Sequence, residues 1–139
     1  MTKKTNLTTK QLAIKHGYRS GLEDSIAEEL NTLGITYGYE PHKIPFNQPE
    51  KTRSYTPDFL IKLNEYNSFY IETKGIFTIA DRQKHLWIKE QYPELDIRFI
   101  FTNANSKINK MSKTTYAMWC GKYGFKWASK HIPEEWLND

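Results

Sequence analysis

Cysteine is nearly missing: Cys120 stands alone among 139 residues, so no internal disulfide can form and the fold must rest on burial. His16, His42, His85 and His131 are scattered, and with one cysteine they offer no spacing suited to structural zinc. No apolar run is long enough to span a bilayer and none near the N-terminus resembles a secretory signal, so the expected setting is a reducing cytoplasm with no membrane partner. Acids are missing from two stretches. Residues 1–22 hold Lys3, Lys4, Lys10, Lys15 and Arg19 without one Asp or Glu. Residues 97–133 hold Arg98, Lys107, Lys110, Lys113, Lys122, Lys126 and Lys130, again without one. The net charge of +4 therefore hides an acidic centre, mostly between Glu23 and Asp96, bracketed by basic ends. Such segregation suits a polyanion met by phosphate-binding lysines, with carboxylates kept for another task, although a solvated lysine face reads the same way.

What is plentiful is apolar and aromatic material. Four Trp, nine Tyr and seven Phe supply enough to bury, which excludes wholesale disorder, and the length suits one domain. Residues 1–16 read as a basic, flexible arm and residues 17–139 as the domain. Ser20 and Glu23 have capping-box spacing, Leu22, Ile26, Leu30 and Leu33 recur as a helical stripe, and Gly34 is placed to stop it. ITYGYE reads as a strand. Pro41, Pro45 and Pro49 make residues 41–52 an extended bridge, stiffened against folding back.

YTPDFLIKL and SFYIETK read as a hairpin turning at residues 64–67. A helix is expected over 79–91 with Leu86 and Trp87 buried, then a buried strand at DIRFIF and a loop at TNANSKINKMSK. A short helix over 115–122 and a helix start at IPEEWL complete the chain. The order predicts an α/β fold, a mixed sheet with helices on its faces.

Chemistry concentrates in Thr56-Pro57-Asp58 and Glu72-Thr73-Lys74. An Asp at the start of one strand and Glu-x-Lys on its neighbour bring two carboxylates and an ammonium to one sheet edge, and the period of two puts Glu72 and Lys74 on one face. Carboxylates so placed suit Mg²⁺, a hard cation that favours oxygen ligands and can activate water against a phosphate, with the lysine orienting the nucleophile. Read singly, Asp58 could be a turn residue, Glu72 and Lys74 a surface ion pair, and Glu23 a helix cap.

The segments RSGLED (19–24), YTPDF (55–59), ETKG (72–75), DRQKHL (81–86), YPELDIR (92–98) and IPEEW (132–136) together resemble the bacteriophage endonuclease I family of Holliday-junction resolvases. The similarity runs in register from about Gly17 to the end of the sequence. That resemblance implies a restriction-endonuclease-like mixed sheet flanked by helices, in a domain-swapped homodimer acting on branched DNA. It implies a catalytic set of Glu23, Asp58, Glu72 and Lys74, the three acids holding two Mg²⁺ ions per site, with Mn²⁺ able to substitute. Glu23 would come from one chain and the other three residues from its partner, with residues 41–52 as the crossing; a closed monomer is the other arrangement the sequence allows. The sequence ends soon after IPEEW without the longer basic tail of some relatives, so phosphate contacts are expected from Lys3, Lys4, Lys10, Lys15, Arg19, Lys107, Lys110 and Lys113. Two rivals stay open at this point: a non-catalytic branched-DNA-binding protein, and a restriction-type nuclease of the same fold.

Overall fold

Ser20 opens the first helix by accepting the backbone N–H of Glu23, and Gly34 closes it in the left-handed region at φ 69°, where its N–H meets the carbonyls of Leu30 and Asn31. The computed structural model describes residues 13–14, 16–48 and 51–138, and this helix, α1, spans Gly21–Leu33. Its Ile26, Ala27 and Leu30 are fully buried, Leu22 packs at the margin, and Leu33, expected in the stripe, is 53% exposed. At about 100° per residue Leu33 falls on the same margin of the buried face as Leu22.

Three strands form a meander next to two parallel additions. β1 (Tyr37–Tyr39) pairs antiparallel with β4 (Phe59–Lys62), and β4 with β5 (Ser68–Lys74); β5 then pairs parallel with β6 (Ile97–Phe101), and β6 with β7 (Trp127–Ser129). The sheet order is β1-β4-β5-β6-β7. The crossovers that parallel pairing demands are α2 (Ile79–Gln91) and α3 (Tyr116–Tyr123). α2 matches the predicted range, and the turn at 64–67 matches the predicted hairpin. α3 starts one residue late because Thr115 is its cap, accepting from the Met118 N–H. IPEEWL forms a short 3₁₀ turn at Glu134–Trp136 rather than an α-helix.

Alternation sorts the core onto two faces. Phe59, Ile61, Phe69, Ile71 and Ile100 meet α1 together with Ala128, Ile132 and Trp136. On the other face Phe99 and Phe101 pack with Phe77, Tyr116, Trp119 and Phe125, rings meeting at 4.9–5.7 Å, mostly edge-on or tilted. In α2 the buried residues are Arg82, His85 and Ile88, while Leu86 and Trp87 are half-buried. The expectation for the last two was one helical step out of phase.

Residues 41–52 do not run as a lone bridge. β2 (Ile44–Gln48) and β3 (Lys51–Tyr55) pair antiparallel, from Ile44 opposite Tyr55 to Gln48 opposite Lys51. Pro45 is tolerated because a two-stranded ribbon consists only of edges. The ribbon sits against α2: Ile44, Phe46 and Tyr55 bury with Ile88 and Ile97. The Gln91 carboxamide donates to the Asn47 carbonyl and accepts its N–H, both at 2.7 Å. Apolar burial thus outweighs the stiffness that three prolines imply.

Candidate active site

Strand register builds this site. Tyr39 opposite Phe59 sets Glu40 beside Asp58, and the Glu40 N–H donates to the Asp58 carbonyl at 2.7 Å. Phe59 opposite Ile71 brings the Asp58 side chain to Thr73, whose N–H and hydroxyl both donate to Asp58 Oδ2 at 2.8 Å. From α1, Glu23 reaches the same end of the sheet, where the Tyr39 hydroxyl donates to its carboxylate. Ligand-type oxygens of Glu23, Glu40 and Asp58 all lie within 4.8 Å of one another.

Glu72 and Lys74 stand one and three residues after the last α1-facing apolar residue of β5, Ile71, and share the opposite orientation. The Tyr55 hydroxyl donates to Glu72 Oε2 at 2.7 Å, and Lys74 Nζ lies 3.5 Å from Glu72 Oε1 and 3.4 Å from Asp81 Oδ1. Asp81 also accepts the Thr78 N–H, completing the capping box of α2, so one carboxylate caps the helix and tethers the lysine.

Burial dominates the electrostatics. Asp58 is pushed up to about 8, first by desolvation and then by Glu72, against the two Thr73 hydrogen bonds. Glu72 is also raised by burial, with Lys74 and Tyr55 opposing. Lys74 is pulled down by burial, but Glu72 and Asp81 outweigh that and hold it above its ordinary value. The Tyr55 hydroxyl is raised well above the usual range by burial and Glu72, so it stays a donor. Acids this crowded and dry lack neutralising charge. Arg19 supplies part of it: its Nε lies 2.7 Å from Glu40 Oε1, a charge contact with the N–H aimed off the line, and its Nη2 lies 3.7 Å from Asp58 Oδ1.

All four predicted site residues therefore occupy one end of the sheet in a single chain. The three-acid group joins Glu23 and Asp58 with Glu40, and Glu72 stands outside it. Sequence reading missed Glu40, Tyr55 and Asp81. Tyr55 and Asp81 lie inside segments already singled out, YTPDF and DRQKHL, whereas Glu40 carried only a weak signal, an acid at a strand end before Pro41. Its φ of 46°, in the left-handed region for a non-glycine residue, marks local strain. The Ser20–Glu23 box is half made: the serine caps, and the Glu23 carboxylate turns to Tyr39 instead.

Beside the site runs an open groove of about 580 Å³, lined by Ser20, Gly21, Leu22, Glu23, Thr73, Lys74, Gly75 and Thr102. Lys107, Lys110 and Lys113 are exposed on the loop between β6 and α3. Lys3, Lys4, Lys10 and Lys15 lie outside the described residues. Arg98 is not a free surface cation: its guanidinium covers the Phe69 ring at 3.8 Å and pairs with Asp96 at 2.7 Å. No helix among the described residues is long and apolar enough to cross a membrane.

A model of the family described as phage endonuclease I matches residues 3–139. The chain belongs to the phage endonuclease I family. Among curated relatives, "Endonuclease I" of Escherichia phage T7 is 45% identical over 122 residues, 88% of this chain and 79% of the relative. "Endodeoxyribonuclease 1" of Enterobacteria phage T3 is 48% identical over 116 residues, 84% of this chain and 74% of the relative.

Proposed function

We propose that this chain is a structure-selective DNA endonuclease that resolves four-way junctions and other branched DNA by divalent-metal-dependent phosphodiester hydrolysis. The observation that carries the reading is the convergence of Glu23, Asp58, Glu72 and Lys74 at one end of the sheet in a member of this family. The donor set fits a hard cation such as Mg²⁺ or Mn²⁺: it is all oxygen, with Glu23 and Asp58 buried and Glu40 half-buried, and burial with the neighbouring Glu72 pushes the Asp58 carboxyl up. Glu23, Asp58 and Glu40 would hold one ion, and Glu72 with Asp58 would face a second. When bound, such ions acidify water and neutralise charge developing on the phosphate.

The chain's own residues supply the rest. Lys74, kept protonated between Glu72 and Asp81, orients the attacking water and adds positive charge beside the phosphate. Thr73 holds the Asp58 carboxylate in one orientation. The adjoining groove gives the DNA backbone a path past Lys74 and the start of α1. Lys107, Lys110, Lys113 and Arg19, with Lys3, Lys4, Lys10 and Lys15, are the cations that would meet phosphates, so that branch geometry is read through the backbone rather than base edges.

The five-stranded mixed sheet with helices on both faces is compatible with a restriction-endonuclease-like fold. A two-fold homodimer would present two sites to the two equivalent backbones of a junction. Exchange of α1 and β1 between copies would supply Glu23 and Glu40 from the partner.

The test incubates a labelled four-way junction and a linear duplex of matched sequence with the protein in Mg²⁺ or in excess chelator, with Glu72→Gln alongside. Paired nicks on opposed strands near the branch are expected, requiring metal and falling at least about 10³-fold in Glu72→Gln while junction binding survives. Tight binding without cutting in Mg²⁺ and Mn²⁺ alike would identify a non-catalytic junction binder. Equal cutting of the linear duplex at a fixed sequence would identify a restriction-type enzyme.

A further inference from the structure

We propose that Tyr55 is a positioning residue for this reaction, its hydroxyl fixing the Glu72 carboxylate and the β2–β3 ribbon serving as the frame that holds it. The proposal rests on reading Glu72 as an active-site carboxylate. A glutamate at the end of a strand has a soft terminal torsion, so its two oxygens exchange positions unless one is pinned. The Tyr55 hydroxyl pins Oε2 at 2.7 Å, leaving Oε1 as the oxygen that faces Lys74 at 3.5 Å. Both residues are buried, 2% and 5% exposed, so solvent cannot take over the tyrosine's part.

Tyr55 is itself held on every side. Its ring meets His85 edge-on at 5.0 Å, and His85 in turn meets Phe99 at 4.7 Å. Lys84 Nζ lies 5.3 Å from the Tyr55 ring centre. Its backbone pairs with Ile44, and at the far end of the ribbon Asn47 is clamped by Gln91 of α2. The hydroxyl thus hangs from a ribbon joined to α2 by both a polar clamp and a buried apolar cluster, and it reaches β5 at Glu72.

The experiment compares wild type, Tyr55→Phe and Glu72→Gln for turnover of a four-way junction, thermal midpoint, and Mn²⁺ binding by calorimetry without DNA. Tyr55→Phe keeps the ring and loses only the hydroxyl. The expected result is a kcat lowered roughly 10–100-fold at unchanged KM, with Mn²⁺ affinity weakened over a similar range, the scale seen when a group orienting a metal ligand is removed. Unchanged kcat and Mn²⁺ affinity, with Glu72→Gln inactive, would overturn the positioning role and leave the site reading intact. A joint loss of kcat, KM and thermal midpoint would make Tyr55 a packing residue only. Full turnover by Glu72→Gln would overturn both readings together.

Discussion

The N-termini of α1 and α2 carry the same sequence device and use it differently. At α2, Thr78 and Asp81 complete the capping box, each side chain satisfying the other's backbone N–H. At α1, Ser20 caps but Glu23 gives its carboxylate to Tyr39 and to the company of Glu40 and Asp58. A carboxylate withdrawn from its local hydrogen bond and gathered into a buried acidic group is a choice against local stability, of the kind expected at functional sites. Asp81 shows the opposite arrangement, since it serves the helix and steadies Lys74 at once. The two ends thus differ: at α1 the acid joins a buried acidic group, and at α2 it holds both the helix and the lysine.

Glu23→Gln tests that difference with the largest effect. Turnover should drop at least about 10³-fold. The thermal midpoint should move by less than the roughly 4 °C that 1 kcal/mol produces in a chain of this size, because no cap is lost. A large loss of stability with retained turnover would reverse the roles assigned to the two helix ends.

A smaller contrast lies in pH. Asp58 titrates near 8 in the folded chain against 3.8 unfolded, so the folded state binds the extra proton between those values and stability falls as pH rises from about 4 to 8. Asp81 is shifted the other way: burial raises it, but Lys74 and the Thr78 bonds hold it below 3.8, so its contribution is present above 3.8 and is lost as pH falls through the folded value. In metal-free buffer at pH 8, Asp58→Asn should therefore raise the thermal midpoint and Asp81→Asn should lower it. Denaturation of both variants across pH 3–9 checks this, and shifts of the same sign would undo the contrast.

Much of this frame was legible in the sequence because it is local. α1, the β4–β5 hairpin, α2 and β6 announce themselves through period, caps and turn residues, and the Asp58, Glu72 and Lys74 spacing needs only two paired strands. β7 was missed because Trp127–Ser129 has no pattern of its own in a lysine-rich stretch and exists through parallel pairing with β6. The β2–β3 ribbon was misread because prolines signal interruption, while its actual support comes from Ile88, Ile97 and Gln91 far along the chain. Glu40 depends on register: only Tyr39 opposite Phe59 makes it a neighbour of Asp58. Residues placed by long-range pairing leave little trace in a single sequence, and here they include a third acid of the site.

The most direct test of the central claim, that this acidic end of the sheet is a divalent-metal site, is calorimetric titration of Mn²⁺ into wild type and Asp58→Asn at pH 7 in two buffers of different ionisation heat. The wild type should bind Mn²⁺ and release protons, since Asp58 is largely protonated there in the metal-free chain. Asp58→Asn should lose both. Undiminished Mn²⁺ binding by Asp58→Asn would contradict the account and move the metal, and the chemistry with it, elsewhere on the molecule.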